Sequence, residues 1–165
     1  MNLLTVGLGS IGRRHTKLFS KYFKNVHIAD INPDRLEEAK KTINVKKTFT
    51  DYKVAIQNEK YDVILITTPP HLHLEIAHAA IKNNIHLFIE KPLGMSSKGW
   101  QNIYNICKKK NIINYVAYCH RHINYTQKLK KILDNREIGK VLNANMRWGS
   151  YLPDWHPWED YRSFY

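Results

Sequence analysis

Leu3-Leu4-Thr5-Val6-Gly7-Leu8-Gly9-Ser10-Ile11-Gly12 joins an apolar run of strand length to a G-x-G-x-x-G turn, and residues with helical spacing follow it. A strand that ends in such a turn and re-emerges as a helix is the opening of a βαβ unit. The glycines have separate jobs there: Gly7 permits the tight turn, Gly9 lets a pyrophosphate approach the backbone, and Gly12 lets helix and strand pack closely. The helix begins at Ser10 and Ile11 with free N–H groups and a partial positive charge, a combination that attracts phosphate. Asp30 stands at the end of the next apolar run, eighteen residues after Gly12, where a carboxylate accepts hydrogen bonds from adenosine ribose hydroxyls. A lone glycine motif says little, but here strand, helix and acid agree.

Outward from this stretch, apolar runs alternate with segments of helical period, the pattern of a parallel sheet with helices on both faces. Strands are expected near Leu3 to Val6, Val26 to Ala29, Lys47 to Phe49, Val63 to Thr67, Leu87 to Ile89 and Tyr115 to Tyr118. The runs Val63-Ile64-Leu65-Ile66 and Leu87-Phe88-Ile89 suit strands covered on both faces. The first helix carries Ile11, Leu18, Phe19 and Tyr22 as its expected buried stripe, and the second opens on Asn32 as N-cap and Pro33, burying Leu36, Ala39 and Ile43. Leu74, Ala77 and Ile81 mark a later helix, and Trp100, Ile103 and Cys107 another. The fold class is α/β, a doubly wound parallel sheet of the Rossmann type.

After Tyr118 the character changes. A helix around Tyr125 to Leu133 leads through Ile138-Gly139-Lys140 into an expected strand, Val141 to Trp148. Residues 1–119 are therefore read as a dinucleotide-binding domain and 120–165 as the incomplete start of a second, α+β domain. The aromatic and proline-rich tail from Gly149 to Tyr165 needs a missing sheet or a partner to cover it, and a homo-oligomer is expected.

In an open doubly wound sheet, ligands sit outside the carboxyl ends of the strands. The polar residues at those ends are Thr67-Thr68-Pro69-Pro70-His71, Glu90-Lys91-Pro92 and Cys119-His120-Arg121-His122. Lys91 follows a buried strand, adjoins an acid and precedes a proline that restricts its backbone, so it is the best candidate to donate a proton or hydrogen bond to a substrate oxygen. A salt bridge to Glu90 that merely holds the loop is the competing reading. The Cys-His-Arg-His run does not suggest a metal, because neighbours on an extended segment point to opposite faces while structural zinc wants four convergent ligands. His71 and His73 read as helix-start and loop-ordering residues and His15 as a helix-packing residue. Of Arg13 and Arg14, at least one belongs to a solvated face.

Composition bounds the alternatives. The chain has 165 residues, 43% hydrophobic and 24% charged, enough to bury a real core, and no apolar run has the length of a membrane span. The net charge of +12 is spread over helix faces and ends, as in Lys40-Lys41, Lys108-Lys109-Lys110 and Lys130-Lys131, so it reads as solvated surface rather than a nucleic-acid stripe. Cys107 and Cys119 form neither a CxxC pair nor a disulfide framework. With no secretory leader ahead of the first strand, a cytoplasmic location is expected.

Taken together, Gly7-Leu8-Gly9-Ser10-Ile11-Gly12-Arg13-Arg14-His15, Thr68-Pro69-Pro70-His71-Leu72-His73 and Glu90-Lys91-Pro92-Leu93-Gly94 resemble the glucose-fructose oxidoreductase, inositol dehydrogenase and MocA family, written Gfo/Idh/MocA. Tyr118-Cys119-His120-Arg121-His122 is a looser match, with His122 where the family tends to have an aromatic residue. The resemblance implies an NAD(P)-dependent oxidoreductase that moves a hydride between the nicotinamide and a hydroxyl or carbonyl carbon of a sugar, cyclitol or sugar nucleotide. It implies that Lys91 binds the substrate oxygen and assists proton transfer, that Glu90 orders the loop near the nicotinamide, that Thr68 and Pro69 line the cofactor, and that Arg121, His122, Trp155 and His156 meet the substrate. It also implies a further domain beyond Tyr165, so that the chain as it stands binds cofactor without turning over. NAD is favoured over NADP, since Asp30 repels a 2′-phosphate and Ile31 follows it where a phosphate-binding residue would stand. Arg35 is the residue that could oppose this. A non-catalytic NAD(H)-binding redox sensor and a basic nucleic-acid-associated protein are the rival readings.

Overall fold

A computed structural model describes residues 1–154, 160 and 162. The chain divides into two compact units, Met1–Cys119 and His120–Tyr165. In the first unit the elements alternate: β1 (Asn2–Val6), α1 (Ser10–Phe19), β2 (Asn25–Ala29), α2 (Pro33–Lys40), β3 (Lys47–Phe49), α3 (Tyr52–Asn58), β4 (Val63–Ile66), α4 (His73–Lys82), β5 (His86–Ile89), α5 (Trp100–Lys110) and β6 (Asn114–Val116). The strands form one parallel sheet in the order β3-β2-β1-β4-β5-β6. The chain winds outward from β1 to one edge, returns to the middle at β4 and winds to the other edge, so the order reverses between β1 and β4.

Register brings the strand ends level. Val6 pairs with Ala29 on one side and Ile66 on the other, Ile66 with Ile89, and Ile89 with Val116. Gly7, Asp30, Thr67 and Glu90 therefore leave the sheet side by side, with neighbouring strands about 4.8 Å apart.

Alternation along the strands sends side chains into two cores. Leu4, Val6, Ile64, Ile66, Leu87 and Ile89 meet α3, α4 and α5. Leu3, Ile28 and Leu65 meet Leu36, Ala39 and Ile43 on the opposite face, where Phe19, Phe23 and Phe88 close the layer. Asn32 caps α2 as its sequence implies, accepting from the Asp34 N–H at 2.9 Å. The stripe expected on α1 is different: Ile11, Leu18 and Tyr22 are exposed, while Gly12 and Thr16 face the sheet with Phe19 beside them. Close approach at Gly12 leaves no room for large side chains there. Thr16 fills the interface instead, its hydroxyl 2.6 Å from the Gly12 carbonyl and 3.0 Å from the Thr5 hydroxyl.

Strand ends differ from expectation by one or two residues. β6 stops at Val116 because the Tyr118 N–H folds back onto the Val116 carbonyl at 2.7 Å, a three-residue turn. α3 has no clear sequence stripe and is set by Asp51, whose side chain accepts from the Lys53 N–H at 2.7 Å.

His27, in the middle of β2, is buried, with Nδ1 3.0 Å from the Tyr61 hydroxyl and Nε2 without a partner. Burial holds its pKa below the ordinary 6.5, with Lys47 and Lys46 adding to that and Glu59 opposing it. A neutral histidine in the fold and a protonated one in the unfolded chain make this contribution complete above pH 6.5 and progressively lost as pH falls through that value. Thermal melts should show a lower Tm at pH 5.5 than at pH 7.5, and His27→Gln should flatten the dependence. Identical slopes for the two proteins would contradict this.

The second unit contains α6 (Asn124–Asp134), which buries none of its residues and exposes Tyr125, Leu129 and Leu133 at intervals of four. Its polar side carries a Lys130–Asp134 ion pair at 2.7 Å, and the His120 ring meets the Trp148 ring edge-on at 5.0 Å. The strand expected over Val141 to Trp148 is not formed: residues 141–150 are irregular chain without ladder bonds, and Val141, Leu142, Met146 and Trp148 are exposed. A strand needs a neighbour to hydrogen-bond, and the described residues of this unit supply none. Among the described residues no helix is long and apolar enough to cross a membrane.

Candidate functional site

The turn after β1 is built by contacts that exclude side chains. Gly7 has φ +91°, and a Cβ on it would lie 2.8 Å from the Thr67 carbonyl carbon and oxygen. A Cβ on Gly12 would collide with the Gly7 carbonyl oxygen and come within 2.8 Å of Thr67 Oγ1. Gly9 is different, with nothing within 4 Å of the position a Cβ would take. The packing of the protein thus requires Gly7 and Gly12, whereas the open side of Gly9 faces a space that something else can occupy. Beside it α1 starts with no side-chain cap and no acid in its first turn, so the N–H groups near Ser10 and Ile11 are available to an anion.

Asp30 does more than its sequence position suggests. Its side chain is 4% exposed; Oδ2 accepts the Leu8 N–H at 2.6 Å and Oδ1 accepts the Asn32 N–H at 2.8 Å. The carboxylate thereby fixes the glycine turn to the end of β2, and its remaining lone pairs can still accept from hydroxyls. Arg35 Nη1 stands 3.9 Å from Oδ2 and is half exposed. A cavity of about 900 Å³ opens here, lined by Gly7, Gly9, Asp30, Arg35, Thr68 and Pro69 among others. In its wall the Thr68 hydroxyl is buried without a hydrogen-bond partner, a group left ready for a ligand.

His73 ties two of the loops together. Fully buried at the start of α4, it sets Nε2 2.8 Å from the Thr68 carbonyl oxygen and Nδ1 3.3 Å from the Leu93 carbonyl oxygen. One imidazole therefore spans the loop after β4 and the loop after Lys91-Pro92.

The end of β5 holds a second buried acid. Glu90 Oε1 accepts from His15 Nε2 at 2.7 Å and Oε2 accepts the Lys91 N–H at 2.9 Å, with the Glu90 side chain 10% exposed. Burial works against ionisation, but the hydrogen bonds from His15 and Lys91 and their charges outweigh it and hold the carboxyl below its usual range. The Lys91 side chain is exposed. His15 packs edge-on against Phe88 at 5.3 Å, so it is a packing residue and also the partner of Glu90. The sequence signals only half of this pair: His15 lies three residues after Gly12, on the helix face that the glycine turns toward the sheet, while its partner 75 residues away is not signalled.

Gly7, Gly9, Ser10, Ile11, Gly12, Asp30, Thr68, Pro69, Glu90 and Lys91 all lie at the carboxyl ends of β1, β2, β4 and β5. Arg121 and His122 belong to the second unit, in an exposed turn over Cys119–His122. Trp155 and His156 lie outside the described residues. Among the described residues no three His, Cys, Asp or Glu side chains converge as metal ligands.

The open flank at Gly9, the uncapped helix, the unpartnered Thr68 hydroxyl and the carboxylate of Asp30 fit an extended dinucleotide, and comparisons with known proteins agree. The family profile described as "Oxidoreductase family, NAD-binding Rossmann fold" matches residues 1–118. Levoglucosan dehydrogenase of Pseudarthrobacter phenanthrenivorans is 34% identical over 128 residues, which is 78% of this chain and 32% of that protein. Myo-inositol 2-dehydrogenase of Thermotoga maritima is 29% identical over 142 residues, 85% of this chain and 42% of the relative. Among solved structures, myo-inositol 2-dehydrogenase of Lactobacillus plantarum superposes with a TM-score of 0.77 at 30% identity, covering 86% of this chain and 43% of that one. Levoglucosan dehydrogenase in complex with NADH and levoglucosan gives 0.75 at 29% identity, with 86% and 41% covered. The chain thus spans less than half the length of these relatives. On the glycine turn, the ordered strand ends and the match over residues 1–118, the chain belongs to the Gfo/Idh/MocA oxidoreductase family and carries its NAD-binding Rossmann fold.

Proposed function

We propose that this chain is the cofactor-binding part of a dehydrogenase that moves a hydride between NAD and a carbon bearing a hydroxyl or carbonyl group on a sugar, cyclitol or sugar nucleotide. The observation that carries the reading is the row of aligned strand ends: the glycine turn, Thr68 and Lys91 leave adjacent strands, with Asp30 on one flank. Such a row gives an extended dinucleotide its pyrophosphate site in the middle and places an ammonium group beyond it. Levoglucosan and inositol, the compounds named for the relatives, are polyhydroxylated rings, and a lysine is suited to bind such an oxygen. The chemistry that NAD supplies when bound is hydride acceptance. The protein's share is to orient and to move protons: Lys91 holds the substrate oxygen and takes or gives its proton, Glu90 keeps the Lys91 loop in place, and Thr68 and Pro69 line the cofactor. To Arg121, His122, Trp155 and His156 we assign contacts with the substrate. To residues 120–165 we assign a part in the substrate domain. A cytoplasmic protein fits these roles. A panel of sugars and cyclitols assayed with NAD tests the substrate class. Turnover confined to acyclic or aromatic alcohols would refute it.

Cofactor choice gives a sharper expectation. The adenosine end presents Asp30 and Ile31, and a 2′-phosphate would meet a nearly buried carboxylate. NAD should bind at least tenfold more tightly than NADP, about 1.4 kcal/mol. Equal dissociation constants would show Arg35 turning from Asp30 to the phosphate.

The exposed apolar groups of the second unit, from Leu129 and Leu133 to Leu142, Met146 and Trp148, are a surface that promotes association between copies. Light scattering should give a mass above that of a monomer, and truncation after Asn135 should reduce it. A strictly monomeric full chain would overturn this.

A further inference from the structure

We propose that His15 and Glu90 form a charge-setting pair that shifts the domain's preference toward the oxidised nicotinamide. The sheet has two buried acids at its carboxyl edge, and they differ in what they do. Asp30 lies beyond β2, and both of its oxygens are engaged by backbone N–H groups of the adjoining turns. Glu90 lies on the other side of the reversal point, beyond β5, and is held by one backbone N–H and by the imidazole of a different element, α1. With the pyrophosphate at the glycine turn and the adenosine toward Asp30, the nicotinamide end falls on the half of the crevice made by β4 and β5. This placement rests on the reading given above.

The oxidised ring bears a positive charge and the reduced ring bears none. A carboxylate near that end therefore stabilises one redox form more than the other, and the effect is strong where water is scarce. Glu90 meets that condition: its side chain is largely buried, and its partners keep the carboxyl ionised despite burial. His15 supplies a hydrogen bond that orients Oε1 without bringing Glu90 out to solvent. Lys91, and His15 whenever its imidazole is protonated, carry the opposing charge; the Lys91 side chain is exposed and only partly screened by water, so with His15 neutral it weakens the effect of the buried carboxylate without cancelling it. The arrangement also links the middle of the cofactor to its nicotinamide end, because α1 begins at the pyrophosphate site and reaches Glu90 through His15.

The test is the ratio of dissociation constants for NAD and NADH measured on this chain by calorimetric titration, for the wild type, Glu90→Gln and Lys91→Met. Contacts to the adenosine and the pyrophosphate are common to both redox forms and cancel in the ratio, as does any general loosening of the fold. Glu90→Gln should shift the ratio toward NADH, on the order of tenfold at low salt, and Lys91→Met should shift it toward NAD. An unchanged ratio in Glu90→Gln, with both forms still binding, would overturn the pair's role while leaving the cofactor site intact. Absence of binding by the wild-type chain would instead overturn the site itself. Should Glu90→Gln fail to fold, the Lys91→Met arm decides alone: a shift toward NADH or no shift contradicts the proposal.

Discussion

Gly9→Ala is expected to leave the domain folded while weakening dinucleotide binding by about 100-fold, and Gly12→Ala is expected to damage the fold itself. The two residues belong to one motif, yet their surroundings differ. The backbone of Gly9 has φ −60° and ψ −176°, values any residue adopts, and no atom lies within 4 Å of its would-be Cβ. Alanine there should even raise stability by about 0.4–1 kcal/mol through the unfolded chain. The added methyl group stands where a pyrophosphate must approach the N–H groups of α1, so the loss falls on the ligand. At Gly12 the new methyl group meets the Gly7 carbonyl, which is fixed by the Gly7 N–H bond to the Ala29 carbonyl at 2.9 Å and by the Thr67 hydroxyl at 2.6 Å. Neither wall is a flexible side chain, and overpacking of this kind costs about 1–3 kcal/mol or more. Thermal melts and NADH titrations of the two variants separate the effects. A Gly9→Ala domain with unimpaired NADH affinity would mean that the phosphates dock elsewhere.

For the dehydrogenase activity proposed above, Lys91→Met is expected to lower kcat by about 10² to 10⁴ while changing NADH affinity only a few-fold. The main chain of Lys91 is fixed: its N–H is given to Glu90, Glu90 is held by His15, and Leu93 two residues on is met by His73. With the backbone so constrained, the side chain is exposed and is not consumed by an ion pair. No ion pair between Lys91 and Glu90 forms among the described residues, which disfavours the reading of Lys91 as a mere loop clamp. Steady-state kinetics with the best substrate would measure the loss. A variant within a few-fold of wild type would make the lysine structural after all.

The sheet was legible because its signals are local and repeated. Each central strand is an apolar run bounded by a turn, and the glycine turn fixes which strand comes first. Asn32-Pro33 announced α2, and Leu36, Ala39 and Ile43 are buried as their spacing implies. The stripe on α1 misled, because a helix that packs through a glycine buries small residues and leaves Ile11, Leu18 and Tyr22 outside. The expected strand from Val141 to Trp148 failed for a different reason: apolar content marks a segment that would pair, but pairing needs a partner that lies elsewhere in sequence.

At the site the same division holds. The residues at strand ends could be read directly, since topology alone aligns them. What could not be read were contacts between distant loops, such as His15 with Glu90 across 75 residues or His73 with Leu93 across 20. These depend on side-chain direction at the edge of the sheet, and spacing along the chain carries no such information.

Titration of this chain with NADH, followed by the transfer of protein fluorescence to the dinucleotide, tests the central claim most directly. The account predicts saturable binding of one NADH per chain, competed by NAD and weakened about 100-fold by Gly9→Ala without loss of the folded melt. A folded wild-type chain that shows no saturable binding of NADH, or that binds it unchanged after Gly9→Ala, would contradict the account.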